Sequence, residues 1–208
     1  MIWFWLACAN TVYPTETEPI EAGVTETPVS ASEVDTTGKS VGSVDMDALK
    51  TEGITVIQGF GGQLKPKLKS AMQEGGTVKA IAVCSQEAPK IAQSVSDSSG
   101  WTVRRVSLKT RNDQTATPDE WEQLTLEWFD DQVSKGVDAS TLVKAEIVDG
   151  SYRLMKAQPV EGLCLSCHGT MLSPETEAAL QEHYPNDVAR GYDLGQVRGA
   201  FSILKALP

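Results

Sequence analysis

Beyond residue 43, the spacing of the apolar residues first predicts two helices. Apolar residues recur at helical spacing in two stretches, which are Leu49, Val56, Ile57, Phe60 and Leu64, then Ile81, Cys84, Ala88, Ile91 and Val95. Pro66 is expected to kink the first helix, and the Gly75-Gly76 pair is expected to end it. Pro89 removes the donor to the carbonyl of Ser85, which predicts a second kink just after Cys84.

A third helix is predicted further along the chain. The string Thr117-Pro118-Asp119-Glu120 indicates a helix start, with a capping threonine, a proline at the first position and a glutamate three residues after the cap. The helix is expected to carry Trp121, Leu124 and Trp128 on one face and to end near Gly136.

The strand signals predict an antiparallel arrangement. Residues 101–108 are expected to form a strand, and residues 142–148 alternate between apolar and polar side chains. Asp149-Gly150 is a hairpin turn signal, so residues 152–158 are predicted to return along that strand. A last strand is predicted from the alternation of Val197, Gly199, Phe201 and Ile203. With a short helix over residues 174–183, this pattern predicts an α+β fold: a central antiparallel sheet with helices packed on one side.

Two segments precede the domain that we assign to residues 44–208. Residues 1–8 are apolar and end in Leu6-Ala7-Cys8, which is similar to the end of a bacterial lipoprotein signal. We interpret residues 1–8 as a truncated signal-like segment with Cys8 as a candidate lipid anchor, which predicts export to the periplasm or cell envelope. Residues 9–43 are rich in Thr, Glu and Pro, and this composition predicts a disordered acidic linker.

The charge of the chain narrows its choice of partners. The formal net charge is −10, with 18 Lys and Arg against 28 Asp and Glu. Such a chain is a poor ligand for a phosphate backbone or for an anionic bilayer surface. We therefore expect no nucleic-acid partner, and a membrane contact only through an N-terminal lipid anchor.

The motif with the most specific chemistry is Cys164-Leu165-Ser166-Cys167-His168. It fits Cys-x-x-Cys-His, the attachment signature of c-type haem. Two thiols at this spacing can each bond to a vinyl group of one porphyrin, and the adjacent histidine can then bind the iron as an axial ligand. The sequence therefore predicts one covalently attached haem c.

Three other interpretations of the motif remain open at this stage. A zinc site would need further ligands, which Cys84 and His183 would have to supply. A dithiol redox site would use Cys164 and Cys167, with His168 incidental. A structural disulfide between those two cysteines would be short and strained.

The sixth ligand of the iron is also open from the pattern alone. Met171 is only three residues beyond His168, too close to reach the opposite face of the haem. His183 is far enough away but lies in a polar stretch typical of a surface residue. Cys84 lies on the apolar stripe of its helix, where a free cysteine is either an iron ligand or a small core residue.

Several strings of the chain combine into one resemblance. They are Ala82-Val83-Cys84-Ser85, Val106-Ser107-Leu108-Lys109 followed by Arg111-Asn112, the haem motif with Gly169, Tyr184-Pro185 with Asp187, and Gly191-Tyr192 followed by Arg198-Gly199-Ala200-Phe201-Ser202. Over about residues 45–207 the chain resembles a family of exported monohaem c-type cytochrome domains with a PAS-like fold, known from cyanobacteria and proteobacteria.

The resemblance implies a PAS-like sheet with flanking helices and a haem attached by the motif loop near the C-terminus. It also implies a six-coordinate iron, and the matching axial ligands here are His168 and Cys84. Arg111 and Arg198 are candidates to contact the haem propionates, because the arginine fork suits bidentate pairing with a carboxylate.

Three functions follow from a haem held in this way. The first is a redox or small-ligand sensor, in which Cys84 leaves the reduced iron and opens a position for a gas. The second is a periplasmic electron-transfer cytochrome, whose acidic surface suits a basic redox partner. The third is a peroxidase-like enzyme. It needs distal acid and base groups that a chain with 2 histidines scarcely provides. We therefore predict binding or electron transfer rather than catalysis.

Overall fold

The structure is a computed structural model that describes residues 44–208. The signal-like segment 1–8 with Cys8 and the acidic linker 9–43 lie outside the described residues. Within residues 44–208, no helix has both the length and the apolar character needed to cross a bilayer.

The first element, α1 (Met46–Ser99), contains both predicted helices. Asp45 caps its start by accepting a hydrogen bond from the amide of Ala48 at 2.9 Å. The helical geometry is interrupted at Gly75 and Gly76, where Gly76 has φ 62° and ψ −153°, a conformation that essentially only glycine adopts. The interruption divides α1 into a first arm, residues 46–74, and a second arm, residues 77–99, so the predicted break is confirmed.

The two arms fold back on each other. The ion pair between Lys67 and Glu87 joins them at 3.1 Å, and apolar side chains of both arms share one buried cluster. The backbone keeps helical dihedral angles at Pro66 and Pro89. The two arms form a helical hairpin, so the second arm, which carries Cys84, packs against the sheet.

Four strands form one antiparallel sheet: β1 (Thr102–Val106), β2 (Val143–Val148), β3 (Ser151–Pro159) and β4 (Val197–Ala206). Their order across the sheet is β1-β4-β3-β2, which places the last strand in the interior. Asp149 (φ 49°) and Gly150 (φ 71°) form the predicted turn between β2 and β3. The predicted antiparallel sheet and its hairpin are confirmed.

The remaining helices are short, apart from one. They are α2 (Asp113–Ala116), α3 (Glu120–Ser134), α4 (Leu165–His168) and α5 (Pro174–His183), with single 3₁₀ turns at Ala139–Thr141 and Gly162–Cys164. Ser173 caps α5 by accepting from the amide of Thr176, and proline occupies its first turn. The predicted bounds of α5 agree with the structure.

Helices cover both faces of the sheet, so the expectation that they pack on one side is wrong. Phe60 and Ile91 of α1 pack on the face that carries Leu154 and Ile203. On the opposite face, α3 buries Leu126 and Phe129 in a cluster that includes Met155, Ala157 and Ala200. Successive strand residues point to opposite faces, and both sets of apolar side chains are therefore buried.

The predicted cap of α3 is wrong, and the face with Leu124 and Trp128 is not the buried one. Asp119, not Thr117, caps the helix, and its carboxylate and that of Glu122 each accept a backbone amide of the other residue at 2.9 Å. Leu124 and Trp128 point outward, at 57% and 39% exposure. Glu122 is buried, because its carboxylate accepts from Ser202 at 2.6 Å and pairs with Arg153 at 3.4 Å.

Candidate functional site

The Cys-x-x-Cys-His motif folds into a compact helical loop. Cys164 ends a 3₁₀ turn, and α4 continues directly from it to His168. The chain then turns at Gly169, whose amide donates to the carbonyl of Leu165 at 2.9 Å. A Cβ at Gly169 would lie 2.6 Å from that same oxygen, so this turn requires glycine.

A second segment, residues 187–192, fixes the motif from one side. The amide of Gly191 donates to the carbonyl of Gly169, and that of Tyr192 donates to the carbonyl of His168, each at 3.0 Å. The Tyr192 ring also meets the His168 ring edge-on, with 6.3 Å between their centroids. These contacts fix the position of both the backbone and the ring of His168.

The imidazole of His168 has one nitrogen already committed. Its Nδ1 lies 2.7 Å from the carbonyl oxygen of Ala189, which can only accept, so Nδ1 carries the proton. The other nitrogen, Nε2, keeps its lone pair and is the atom through which the ring could bind a metal, although the N–H of Arg198 lies 3.3 Å from it. Burial, with Arg198 and Arg111 as further causes, lowers the pKa of His168 to about 2, so the ring is neutral at physiological pH.

Cys84 and the motif line the same cavity. Its volume is about 1560 Å³, and its walls include the thiol-bearing residues Cys84, Cys164 and Cys167 together with His168. Pockets for small molecules span roughly 300–1,000 Å³, so this cavity is large enough for a sizeable cofactor. Burial raises the pKa of the Cys84 thiol, and the nearby guanidinium groups of Arg105 and Arg111 oppose that rise.

Arg111 lines the cavity but is already engaged. Its Nε lies 3.1 Å from the carboxylate of Asp187, and its Nη2 donates to the backbone carbonyl of Cys167. The guanidinium therefore fastens the motif to the segment 187–192. The structure places Arg111 beside the motif.

Arg198, at the start of β4, lies closer to the histidine. Its Nε is 3.0 Å from Nδ1 and 3.3 Å from Nε2 of His168. Since Nδ1 donates to Ala189, the Arg198 N–H faces Nε2. Its Nη1 donates to Ser107 Oγ at 2.9 Å and to the carbonyl of Lys109 at 3.2 Å, and burial lowers the pKa of Arg198 to about 10.

Sequence reasoning missed Arg105 as a residue of this site. It lies on β1 opposite Phe201 of β4, and its guanidinium lies 5.5 Å from the centre of the Phe60 ring. It lines the cavity that also contains Cys84. The available signal was parity along the strand: Val103, two residues earlier, is buried against α1, so Arg105 faces the same side.

The zinc and disulfide interpretations of the motif gain no support from residues 44–208, whereas free thiols are compatible with a dithiol redox site. Cys84, Cys164 and Cys167 are all free. No group of three or more His, Cys, Asp or Glu side chains in this range is arranged to hold a metal ion. His183 lies beside Ser85, with 3.5 Å between Nδ1 and Oγ, rather than beside the motif.

The sequence matches one protein family over most of its length. The match to the Tll0287-like family spans residues 26–205. Among solved structures, the chain is similar to that of the cyanobacterial haem protein Tll0287, with a TM-score of 0.58 and 25% sequence identity over 77% of this chain and 95% of that one. No curated protein is detectably similar. The chain belongs to the Tll0287-like family.

Proposed function

We propose that this protein binds one covalent haem c and acts as a redox or small-ligand sensor. Cys164 and Cys167 would hold the haem by thioether bonds, and His168 and Cys84 would bind the iron from its two sides. The single observation that carries the proposal is the shared cavity, which brings the motif and a thiol from a distant helix to one place. The haem of the similar cyanobacterial protein supports the choice of cofactor.

The residues present fit this cofactor chemically. The hydrogen bond from His168 to Ala189 fixes the tautomer that leaves Nε2 unprotonated. The cavity walls combine apolar side chains, such as Phe60 and Phe201, with the cationic residues Arg105, Arg111 and Arg198. An apolar porphyrin with two carboxylates requires both kinds of surface.

Haem iron supplies one-electron redox chemistry and a position for a diatomic ligand. The chain supplies the switch. Burial raises the pKa of Cys84, so its Sγ holds a proton whenever it is not bonded to a metal. The Sγ atom of Cys84 can be either protonated and unbound or deprotonated and bound to a metal. These are two discrete states of the site, and a sensor needs two states.

A PAS-like architecture is part of the proposal. An antiparallel sheet covered by a helix on each face, with the last strand in the interior, supports it. We also propose that the protein is exported to the periplasm or cell envelope and that Cys8 is a lipid anchor. Export is in keeping with a haem that is attached covalently. The signal would pass to a partner protein.

Electron transfer is the second candidate function. The observation that favours it is the exposure of apolar side chains beside the motif, namely Leu163 at 49% and Met171 at 90%. An apolar rim of this kind suits brief docking of a redox protein. We propose no enzymatic activity.

Optical spectra of the haem-loaded protein test the proposal. We would record ferric and dithionite-reduced spectra of the wild type, of Cys84→Ala and of the control Ser85→Ala. We expect thiolate features in the ferric wild type and the control but not in Cys84→Ala, and carbon monoxide binding after reduction. If all three spectra agree, Cys84 is not a ligand and the sensor proposal fails.

Covalent attachment is tested separately. Denatured wild-type protein should keep its haem during electrophoresis, whereas Cys164→Ala/Cys167→Ala should lose it. Haem lost equally from both chains would contradict attachment through the motif.

A further inference from the structure

We propose that Arg105 binds a propionate carboxylate of the haem, an inference that rests on the haem site proposed above. Arg105 belongs to β1, and its partner across the sheet is Phe201 of β4. Both residues line the cavity. Arg105 is therefore held by the sheet rather than by a loop. Cys84 of α1 lines the same cavity.

The guanidinium of Arg105 lacks an anionic partner within the part of the chain that the structure describes. The adjacent Arg104 points to the other face of the sheet, where it lies 3.7 Å from the carboxylate of Glu122. None of the ion pairs among residues 44–208 involves Arg105. A partly buried cation without a counter-ion is costly, and a carboxylate that enters the cavity would offset that cost.

Three other arginines line the cavity, and one of them, Arg104, faces the carboxylate of Glu122. Arg111 is already neutralised by Asp187 at 3.1 Å. Arg198 hydrogen-bonds only neutral groups, namely Ser107 Oγ, the carbonyl of Lys109 and the His168 ring. Among residues 44–208, the guanidinium groups of Arg105 and Arg198 thus have no carboxylate partner. A haem brings two carboxylates.

The surroundings of Arg105 suit a bidentate contact. The Phe60 ring lies 5.5 Å from its Cζ and restricts the planar headgroup, while Phe60 itself is fixed edge-on against Phe201 at 5.4 Å. A held guanidinium presents parallel N–H groups to both oxygens of a carboxylate. Burial lowers the pKa of Arg105, the electrostatic cost that an added anion would relieve.

The test compares haemin with haemin dimethyl ester, in which both propionates are blocked. The parent is the full chain with Cys164→Ala/Cys167→Ala, so that binding is reversible and is followed by optical titration. Arg105→Gln should weaken haemin binding by about tenfold, since a hydrogen bond to a charged group is worth about that much. It should leave binding of the ester unchanged, which also shows that the cavity is still folded.

Two variants sharpen the comparison. Arg104→Gln removes a neighbouring charge on the opposite face of the same strand and should leave the ratio of haemin to ester affinity at its parent value. Arg105→Lys keeps the charge but not the fork, and should lose only part of the preference for haemin.

The outcomes separate this proposal from the one on which it rests. Equal weakening of haemin and ester by Arg105→Gln would make Arg105 a packing residue and overturn the inference, as would no change in either. A parent chain that binds neither compound would show that the haem site itself is wrong, and the role of Arg105 would fall with it.

Discussion

The guanidinium of Arg111 lies 3.1 Å from the carboxylate of Asp187 and also donates to the backbone carbonyl of Cys167. The side chain of Asp187 is 1% exposed, and it also accepts from the amide of Ala189 at 3.0 Å. One buried carboxylate therefore organises two neighbours of the histidine: Ala189, whose carbonyl orients the His168 ring, and Arg111, which holds the motif. The motif loop is therefore supported by the carboxylate of Asp187, which lies outside the motif.

Asp187→Asn should destabilise the protein because it removes the buried partner of Arg111. We expect a loss of about 3 kcal/mol in the free energy of unfolding, the range seen when one member of a buried ion pair is removed. Urea denaturation measures it. Asp193→Asn is the matched control: Asp193 is exposed, so its change should stay within about 0.5 kcal/mol. Equal effects of the two variants would contradict the role given to Asp187.

The haem-free protein should lose stability as the pH falls below about 6.5. The pKa of His168 is lowered to about 2 in the folded chain, so between pH 6.5 and pH 2 the unfolded chain binds a proton that the folded chain does not. Stability therefore decreases with decreasing pH, by at most about 1.4 kcal/mol per pH unit for this group. The comparison is the urea midpoint of wild type and His168→Asn between pH 7 and pH 5. The variant should show the shallower slope, and parallel slopes would be inconsistent with a buried neutral imidazole.

Gly76→Ala and Gly59→Ala should shift stability in opposite directions. Gly76 has φ 62° and ψ −153°, so a side chain there should cost about 1–3 kcal/mol of backbone strain. Gly59 lies within the first arm, and an added Cβ would meet nothing within 4 Å; alanine there should stabilise the helix by about 0.5–1 kcal/mol. Thermal unfolding of both variants checks the pair, and a stable Gly76→Ala would argue against the break between the arms.

Glu122→Gln should weaken the protein without altering its haem spectrum. Glu122 is buried on the α3 face, where its carboxylate is bonded to Ser202 at 2.6 Å and faces Arg104 and Arg153 at 3.7 Å and 3.4 Å. Loss of that charge leaves two cations facing a neutral group, with an expected cost of about 3 kcal/mol.

The exposed Glu120 of the same helical turn provides the control for that change, because Glu120→Gln removes the same charge without touching the buried cluster. Its unfolding curve should match the wild type. A changed haem spectrum in Glu122→Gln would mean that the two faces of the sheet are not independent.

Much of the fold follows from local signals that the structure obeys. The turn at Asp149-Gly150, the bounds of α5 and the break at Gly75-Gly76 each depend on backbone preferences within a few residues, so the sequence pattern alone predicts them. The face of α3 does not follow in this way. Its apolar side chains predicted one face with Trp128, but the buried face carries Glu122, whose carboxylate lies near the guanidinium groups of Arg104 and Arg153.

The candidate site divides along the same line. The motif residues are adjacent in sequence, and their chemistry is visible without a structure. Cys84 reaches the cavity through the hairpin of α1, and the pattern by itself favoured a small core residue at this position over an iron ligand. Arg105 was not predicted because Arg104 and Arg105 are adjacent charged residues, a pattern typical of an exposed surface. In the strand their side chains point to opposite faces of the sheet.

The interior position of β4 also sets an order of assembly. Within residues 44–208, β4 is the one strand that pairs with β1, and β3 bonds to β4 along its whole length. A chain that emerges from its amino end presents Cys84 first, the motif thiols next and the strand that joins β1 to β3 last. Until that strand arrives, the cavity has no closed wall and Cys164 and Cys167 stay open to reaction. In the haem protein that we propose, attachment of the cofactor would therefore precede closure of the sheet, and the approach of Cys84 and His168 to the iron would follow it.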